Sequence, residues 1–257
     1  MKELMPMMRA DLSCGLGLRF WLAVALVPFL IVADNFVDMM GMYSPSVFYM
    51  HYGSFASGGL YGTYLVYMLC ALPYAGAFWA EYSGNMAGSV MARCGKRTYF
   101  LSKMFAACLL GGMVALLGHA LTLALLRWGA GLDWISPGDW DQCAVLRPLT
   151  LGYFPLALYY AFGDGVLSAC VAVGASPYVR NHYGVLVAPA IFQFCSIQVH
   201  RLLRIPIEWQ PIQWMRMRSL FLNIPATMLM SLGAVAAVVA LASWLFIRGG
   251  KKVMGCE

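Results

Sequence analysis

The sequence predicts an all-α membrane protein of six transmembrane helices. Three observations predict it. The mean hydropathy is +0.71 and charged residues make up 11% of the chain, against about 25% in an ordinary soluble domain. Several apolar runs approach the roughly 20 residues that cross a bilayer. Those runs are continuous, without the period-two alternation of a barrel strand, and in lipid only helices and closed barrels satisfy their own backbone. The 257 residues then form a single transmembrane domain. It divides into an interfacial lead-in (1–19), a six-helix bundle (20–247) and a short tail (248–257).

The elements follow in order. Met1–Arg19 carries Leu4, Met7, Met8 and Leu12 at helical spacing, with Lys2 and Arg9 beside them. That pattern predicts an amphipathic helix on the inner membrane surface, basic side toward anionic headgroups. Phe20–Ala33 has the short apolar core of a secretory signal; we read it as the start of a retained span. The six spans are placed at Phe20–Asp38, Gly59–Trp79, Lys103–Leu126, Pro155–Ser176, Gly184–Leu203 and Leu220–Ile247. Pro73 and Pro189 are possible breaks within two of them.

Basic residues set the orientation. With the N-terminus inside, the inner side holds Lys2, Arg9, Arg19, Arg93, Lys96, Arg97, Lys103, Arg180, Arg248, Lys251 and Lys252. The outer side holds only Arg127, Arg147, Arg201, Arg204, Arg216 and Arg218. The bias places both termini in the cytoplasm of a multi-pass cell-membrane protein. The net charge of +6 is thereby a consequence of topology, and no nucleic-acid motif accompanies it. The eight cysteines show no CxxC pair and no metal-ligand spacing. Four lie in spans, and Cys143 alone faces outward, so they read as small apolar filler.

Between the second and third spans runs EYSGNMAGSVMARCGKRTYF, from Glu81 to Phe100. Met86, Ala87, Val90, Met91 and Cys94 form one apolar stripe of a helix. Glu81, Asn85 and Ser89 line another side at spacing four, beside a spine of Gly84, Gly88 and Ala92. Gly95 ends the helix. A solvated loop obeying charge topology explains Arg93, Lys96, Arg97 and Lys103. It does not explain two helical glycines, each costing about 1 kcal/mol in propensity. A face kept small for close approach of another protein does.

Glu81, Gly84 and Asn85, followed by a short helix, Arg93, Arg97 and Lys103 at the next span, resemble the ABC-2 type permeases, the membrane subunits of ATP-driven exporters. The family's usual glycine four residues after the Glu falls here at three, with Asn85 at four. The six-span layout and the lead-in also fit. The resemblance implies that Glu81–Cys94 is a coupling helix seated in a separate ATPase subunit, and that Tyr178, Arg180, Asn181 and His182 form a second, smaller contact. Glu81, Gly84, Asn85, Gly88, Ser89, Arg93, Arg97, Tyr178, Arg180 and His182 are thus expected to dock the ATPase. It also implies a second permease chain, identical or not, completing the pathway.

The chain has no ATP site of its own. GKRT at Gly95–Thr98 lacks both the earlier glycine and the Ser/Thr of a P-loop. ATP and Mg²⁺ belong, on this reading, to the partner, with no cofactor or metal in this chain and the lipid bilayer as its surroundings. Asp164 lies within the fourth span and His119 within the third; an ionisable group in a span is a functional candidate by default. Both are assigned to the substrate pathway, against the simpler reading of buried groups satisfied by a neighbouring hydroxyl, amide or Arg. Asp34 and Asp38 can reach water. Trp128, Trp134 and Trp140 suggest an interfacial belt, and Arg201–Ser219 suggests short interfacial helices. An intramembrane enzyme finds no HExxH, GxSxG or close acid pair. An ion-coupled carrier finds no internal repeat. The apolar spans favour a hydrophobic or amphipathic cargo such as a peptide or drug.

Overall fold

The computed structural model describes residues 4–41, 46–57, 64–135, 152–179, 181–210, 213, 215–217 and 223–253; the side chains of 36–41, 55–57 and 207 are outside that description. Among the described residues every regular element is helical. They are α1 (Leu4–Gly15), α2 (Leu18–Gly41), α3 (Val47–Ser57), α4 (Val66–Ala71), α5 (Ala77–Ser83), α6 (Met86–Cys94), α7 (Lys96–Ala124), α8 (Tyr153–Ala175), α9 (His182–Leu202) and α10 (Ile224–Val253). Five of these, α2, α7, α8, α9 and α10, are long and apolar enough to cross a membrane. The chain is an all-α membrane protein.

The expected span Gly59–Trp79 is not a continuous helix over its described part. Residues 58–63 lie outside the described part, and the rest is two short helices, α4 and α5, separated by a turn at 72–76. Pro73 sits in that turn; it has no N–H to give the ladder and its ring disfavours a continuous helix. Pro189 lies inside α9 without interrupting it.

Backbone chemistry fixes the joints. Asn85, at φ 56°, takes the left-handed conformation that Asn tolerates better than most residues. It separates α5 from α6. Gly95, at φ 82°, ends α6 and starts α7, a conformation open to glycine. The Asn181 side chain accepts from the Tyr183 N–H at 3.0 Å and caps α9.

α7 and α8 form the centre. Without a hydrophobic drive between helices in lipid, small residues let backbones approach. A Cβ on Gly111 would lie 2.6 Å from the Gly165 carbonyl oxygen, and one on Gly118 would lie 2.6 Å from Val27 Cβ. The apolar window of α8 is 67% buried, against 17% for α9 and α10, so those two present most of their apolar surface outward. One end of the bundle gathers α1, α5, α6, the Ser176–Tyr178 turn, the start of α9 and the last turns of α10. The Trp79 indole donates to the Ser176 carbonyl at 2.6 Å, and Tyr82 donates to the Val253 carbonyl at 3.5 Å. The other end gathers α3, residues 125–135, the start of α8 and the 215–217 turn. There Val47, Phe48, Leu126, Tyr153, Phe154, Met215 and Met217 share one core.

α1 has a different role from the one its stripe predicts. Met7 and Leu12 pack on the protein core, and Asp11 and Gly15 are buried. The helix lies on α7 rather than presenting its apolar side to lipid alone. Of the Arg201–Ser219 segment, the described part contains a single 3₁₀ turn at Ile207–Trp209. Trp128 is exposed, Trp134 packs on Phe154 at 4.9 Å, and Trp140 lies outside the described residues.

Candidate functional site

Two polar clusters lie inside this apolar frame. The first joins α1, the 72–76 turn, α5 and α7 at the α6 end. Lys103 is 3% exposed. Its ammonium donates to Asp11 Oδ1 at 2.8 Å, to the Tyr74 hydroxyl at 3.0 Å, and to Glu81 Oε1. An ammonium has three N–H donors, and all three are used. The Tyr74 and Tyr99 rings flank it, each centroid 5.4 Å away, a cation–π distance. Tyr99 donates to the second oxygen of Glu81 at 2.8 Å, and Ser102 to the second oxygen of Asp11. Burying a charge is tolerable when it is paired and hydrogen-bonded throughout, and this cluster meets that condition.

The Glu81–Cys94 segment is therefore not one helix. Glu81 belongs to α5 and turns its carboxylate inward to Lys103, so the spacing-four face of Glu81, Asn85 and Ser89 is broken at Asn85. The apolar stripe of α6 holds in four of its five members. Ala87 and Met91 are buried, Val90 packs on the core, and the Cys94 thiol meets the Met7 sulfur at 3.4 Å. Met86 is 56% exposed. Gly84, Asn85, Gly88, Ser89, Arg93 and Arg97 all face outward, and a Cβ on Gly88 would meet nothing within 4 Å. The Ser89 hydroxyl returns to the Met86 carbonyl at 2.8 Å.

The second expected contact lies at this same end. His182 sits against Gly76, where a Cβ would come within 2.8 Å of its Nδ1. The exposed Tyr178 donates to the Leu245 carbonyl at 3.1 Å. Arg180 lies outside the described residues. The structure thus brings the α5–α6 elbow, Tyr178 and His182 together at one end of the bundle.

The second cluster surrounds Asp164. The Tyr67 hydroxyl bonds to its carboxyl group, and the Arg216 guanidinium faces it without a direct ion pair. Asp164 Oδ1 and an outer nitrogen of Arg216 have no hydrogen-bond partner. Both side chains line a cavity of about 20 Å³ together with Ser54, Tyr67, Cys70 and His119. His119 is satisfied by a second histidine: its Nδ1 lies 2.9 Å from His51 Nε2, and His51 Nδ1 lies 2.9 Å from the Tyr153 hydroxyl. His51, on α3, is fully buried, and burial first and His119 second hold its pKa below the ordinary imidazole range. Among the described residues no group of His, Cys, Asp and Glu is arranged to hold a metal ion.

Sequence analysis does not identify the roles of Asp11, Arg216, Lys103 and His51 in these clusters, nor those of the tyrosines around them. Asp11 was legible, because it falls at Leu4 + 7, on the apolar stripe of its own helix. Arg216 breaks the charge bias that placed it outside. Lys103 was counted as topology, and His51 belonged to no assigned element.

Fold and sites define an all-α, multi-pass membrane protein with a buried ion cluster at one end and, between its helices, a small cavity that Asp164, His119 and Arg216 line. No family model matches this chain, and neither a curated protein nor a solved structure does.

Proposed function

We propose that this chain is the membrane-spanning permease subunit of an ABC exporter, driven by a separate ATPase that supplies ATP and Mg²⁺. The observation that carries the reading is the α5–α6 elbow. Its apolar face is locked to the bundle through Ala87 and Met91, and Glu81 ties the preceding helix to Lys103 on α7. Its other face, at Gly88, Ser89 and Arg93, is small and open. A partner seated on that face would push on a lever fixed to α7, one of the two central helices of the bundle. This assigns docking to Gly84, Asn85, Gly88, Ser89, Arg93 and Arg97, with Tyr178 and His182 beside them. Glu81 acts as the link into the span instead of as a contact. The outward apolar faces of α9 and α10 suit lipid and a second permease chain. The apolar bundle favours a hydrophobic or amphipathic cargo.

An ion-coupled carrier is the second reading, favoured by the buried carboxyl and imidazole groups around Asp164. One experiment separates the two. The tagged chain, purified in mild detergent from the membranes of its source cells, should carry a P-loop ATPase subunit and ATP hydrolysis. Gly88→Trp should still insert but lose both. Purified wild-type chain without ATPase activity, or a Gly88→Trp chain that keeps it, would count against the permease reading.

A further inference from the structure

We propose that a hydrogen-bonded proton path runs inside the bundle from Tyr153 through His51 and His119 to Asp164. The proposal needs no ATPase and stands apart from the reading above. Tyr153 begins α8, and Asp164 lies three turns further along the same helix, about 16 Å at 1.5 Å per residue. His51 on α3 and His119 on α7 bridge the start of that distance with two contacts of 2.9 Å. The last gap is the cavity that His119 and Asp164 both line. Its volume of about 20 Å³ is enough for one water, which needs about 10–15 Å³.

The bonds have the property a proton path requires, because both polarities satisfy them. Tyr153 can donate to His51 Nδ1 while His51 Nε2–H donates to His119 Nδ1. Alternatively His119 Nδ1–H donates to His51 Nε2 while His51 Nδ1–H donates to the Tyr153 oxygen. An imidazole is donor at one nitrogen and acceptor at the other, and donor at both when protonated. A proton accepted at His51 Nδ1 releases the one on Nε2 to His119 Nδ1. His119 then releases the proton on its other nitrogen across the cavity to Asp164. One proton enters at the Tyr153 end, one carboxylate is neutralised, and no electrons move.

The surroundings favour transit of a proton over binding of a metal cation. Asp164 faces Tyr67 and Cys70 from α4, His119 from α7, Ser54 from α3 and Arg216 from the 215–217 turn. Ser54 in turn donates to Asp34 of α2 at 3.2 Å. The Arg216 guanidinium repels a hydrated metal ion, as fixed positive charge does in selective pores. It also presents an unpartnered donor beside an unpartnered carboxylate oxygen. One water in the cavity, accepting from His119 and from Arg216 and donating to Asp164, would complete the path. Buried His and Asp groups in chains of this kind are the usual parts of membrane proton relays.

Infrared difference spectroscopy of the purified full chain in lipid nanodiscs tests this. A pH titration should reveal the C=O stretch of a protonated buried carboxyl that Asp164→Asn abolishes. After a pH jump, that band should rise about 100-fold more slowly in His51→Gln and His119→Gln, the low end of what a positioned proton-transfer group contributes. Tyr153→Phe, which removes one hydroxyl and keeps the ring, should slow it too; this variant keeps the test decisive where a histidine variant fails to fold. Unchanged rates in Tyr153→Phe and in either folded histidine variant would overturn the path. So would the absence of any Asp164-dependent band.

Discussion

Lys103 is the residue on which the α6 end depends. It holds Asp11 of α1 and Glu81 of α5 to α7, within a pair of tyrosine rings. Removing one partner of a buried ion pair costs about 3–5 kcal/mol, because the other charges stay behind unpaired. Lys103→Met should therefore lower unfolding stability by about that amount, read as a fall in the thermal midpoint of the detergent-purified chain. Glu81→Gln should cost less, since the Glu81 side chain is 24% exposed against 4% for Lys103 and retains the Tyr99 bond. An equal or smaller loss for Lys103→Met than for Glu81→Gln would show that the cluster is not organised around the ammonium. Sequence analysis singles out Glu81 and Lys103 and passes over Asp11. It could not supply their meeting, because Asp11 and Lys103 are 92 positions apart and nothing in their local spacing couples them.

At the scale of elements, the continuous apolar runs of α2, α7, α8, α9 and α10 carried over from sequence to structure. So did the stop at Gly95, which takes the positive φ that glycine favours. The break between α5 and α6 did not, because a left-handed Asn85 leaves no trace in a hydrophobic pattern. The interlock of α7 with α8 was equally hidden: Gly111, Ala115, Gly165 and Ala169 read as ordinary apolar filler until the two helices face each other. A Cβ on Gly165 would lie 2.8 Å from Ala115 Cβ, and one on Gly111 would lie 2.6 Å from the Gly165 carbonyl oxygen. Gly111→Val therefore forces the two central helices apart. Overpacking of this kind costs about 1–3 kcal/mol. A matching drop in thermal stability is expected for Gly111→Val and not for Gly233→Val, where nothing lies within 4 Å. Equal tolerance at both sites would mean that α7 and α8 do not pack through their glycines.

For the whole molecule, the arrangement of the two ends makes a topological statement. Lys96 at the start of α7 and Lys251 near the end of α10 lie at the same end as α6, and Asp133 lies at the other, where its carbonyl accepts from the Val47 N–H at 2.8 Å. In a cysteine-free background, Lys96→Cys and Lys251→Cys should resist a membrane-impermeant reagent applied to intact cells, while Asp133→Cys reacts. The reverse labelling would invert the orientation that the basic residues set. The class of the protein was legible in its composition, since a chain this apolar has few other ways to fold. Its buried polar groups were legible only as isolated exceptions, because their partners come from distant segments. We propose that the α5–α6 elbow receives an ATPase. Single-cysteine cross-linking from Ser89→Cys, in the complex purified from source membranes, tests it most directly. The account predicts a covalent adduct with a P-loop ATPase subunit, lost when Gly88→Trp is added. A Ser89→Cys chain that forms no such adduct while its thiol remains reactive to a small reagent would contradict it.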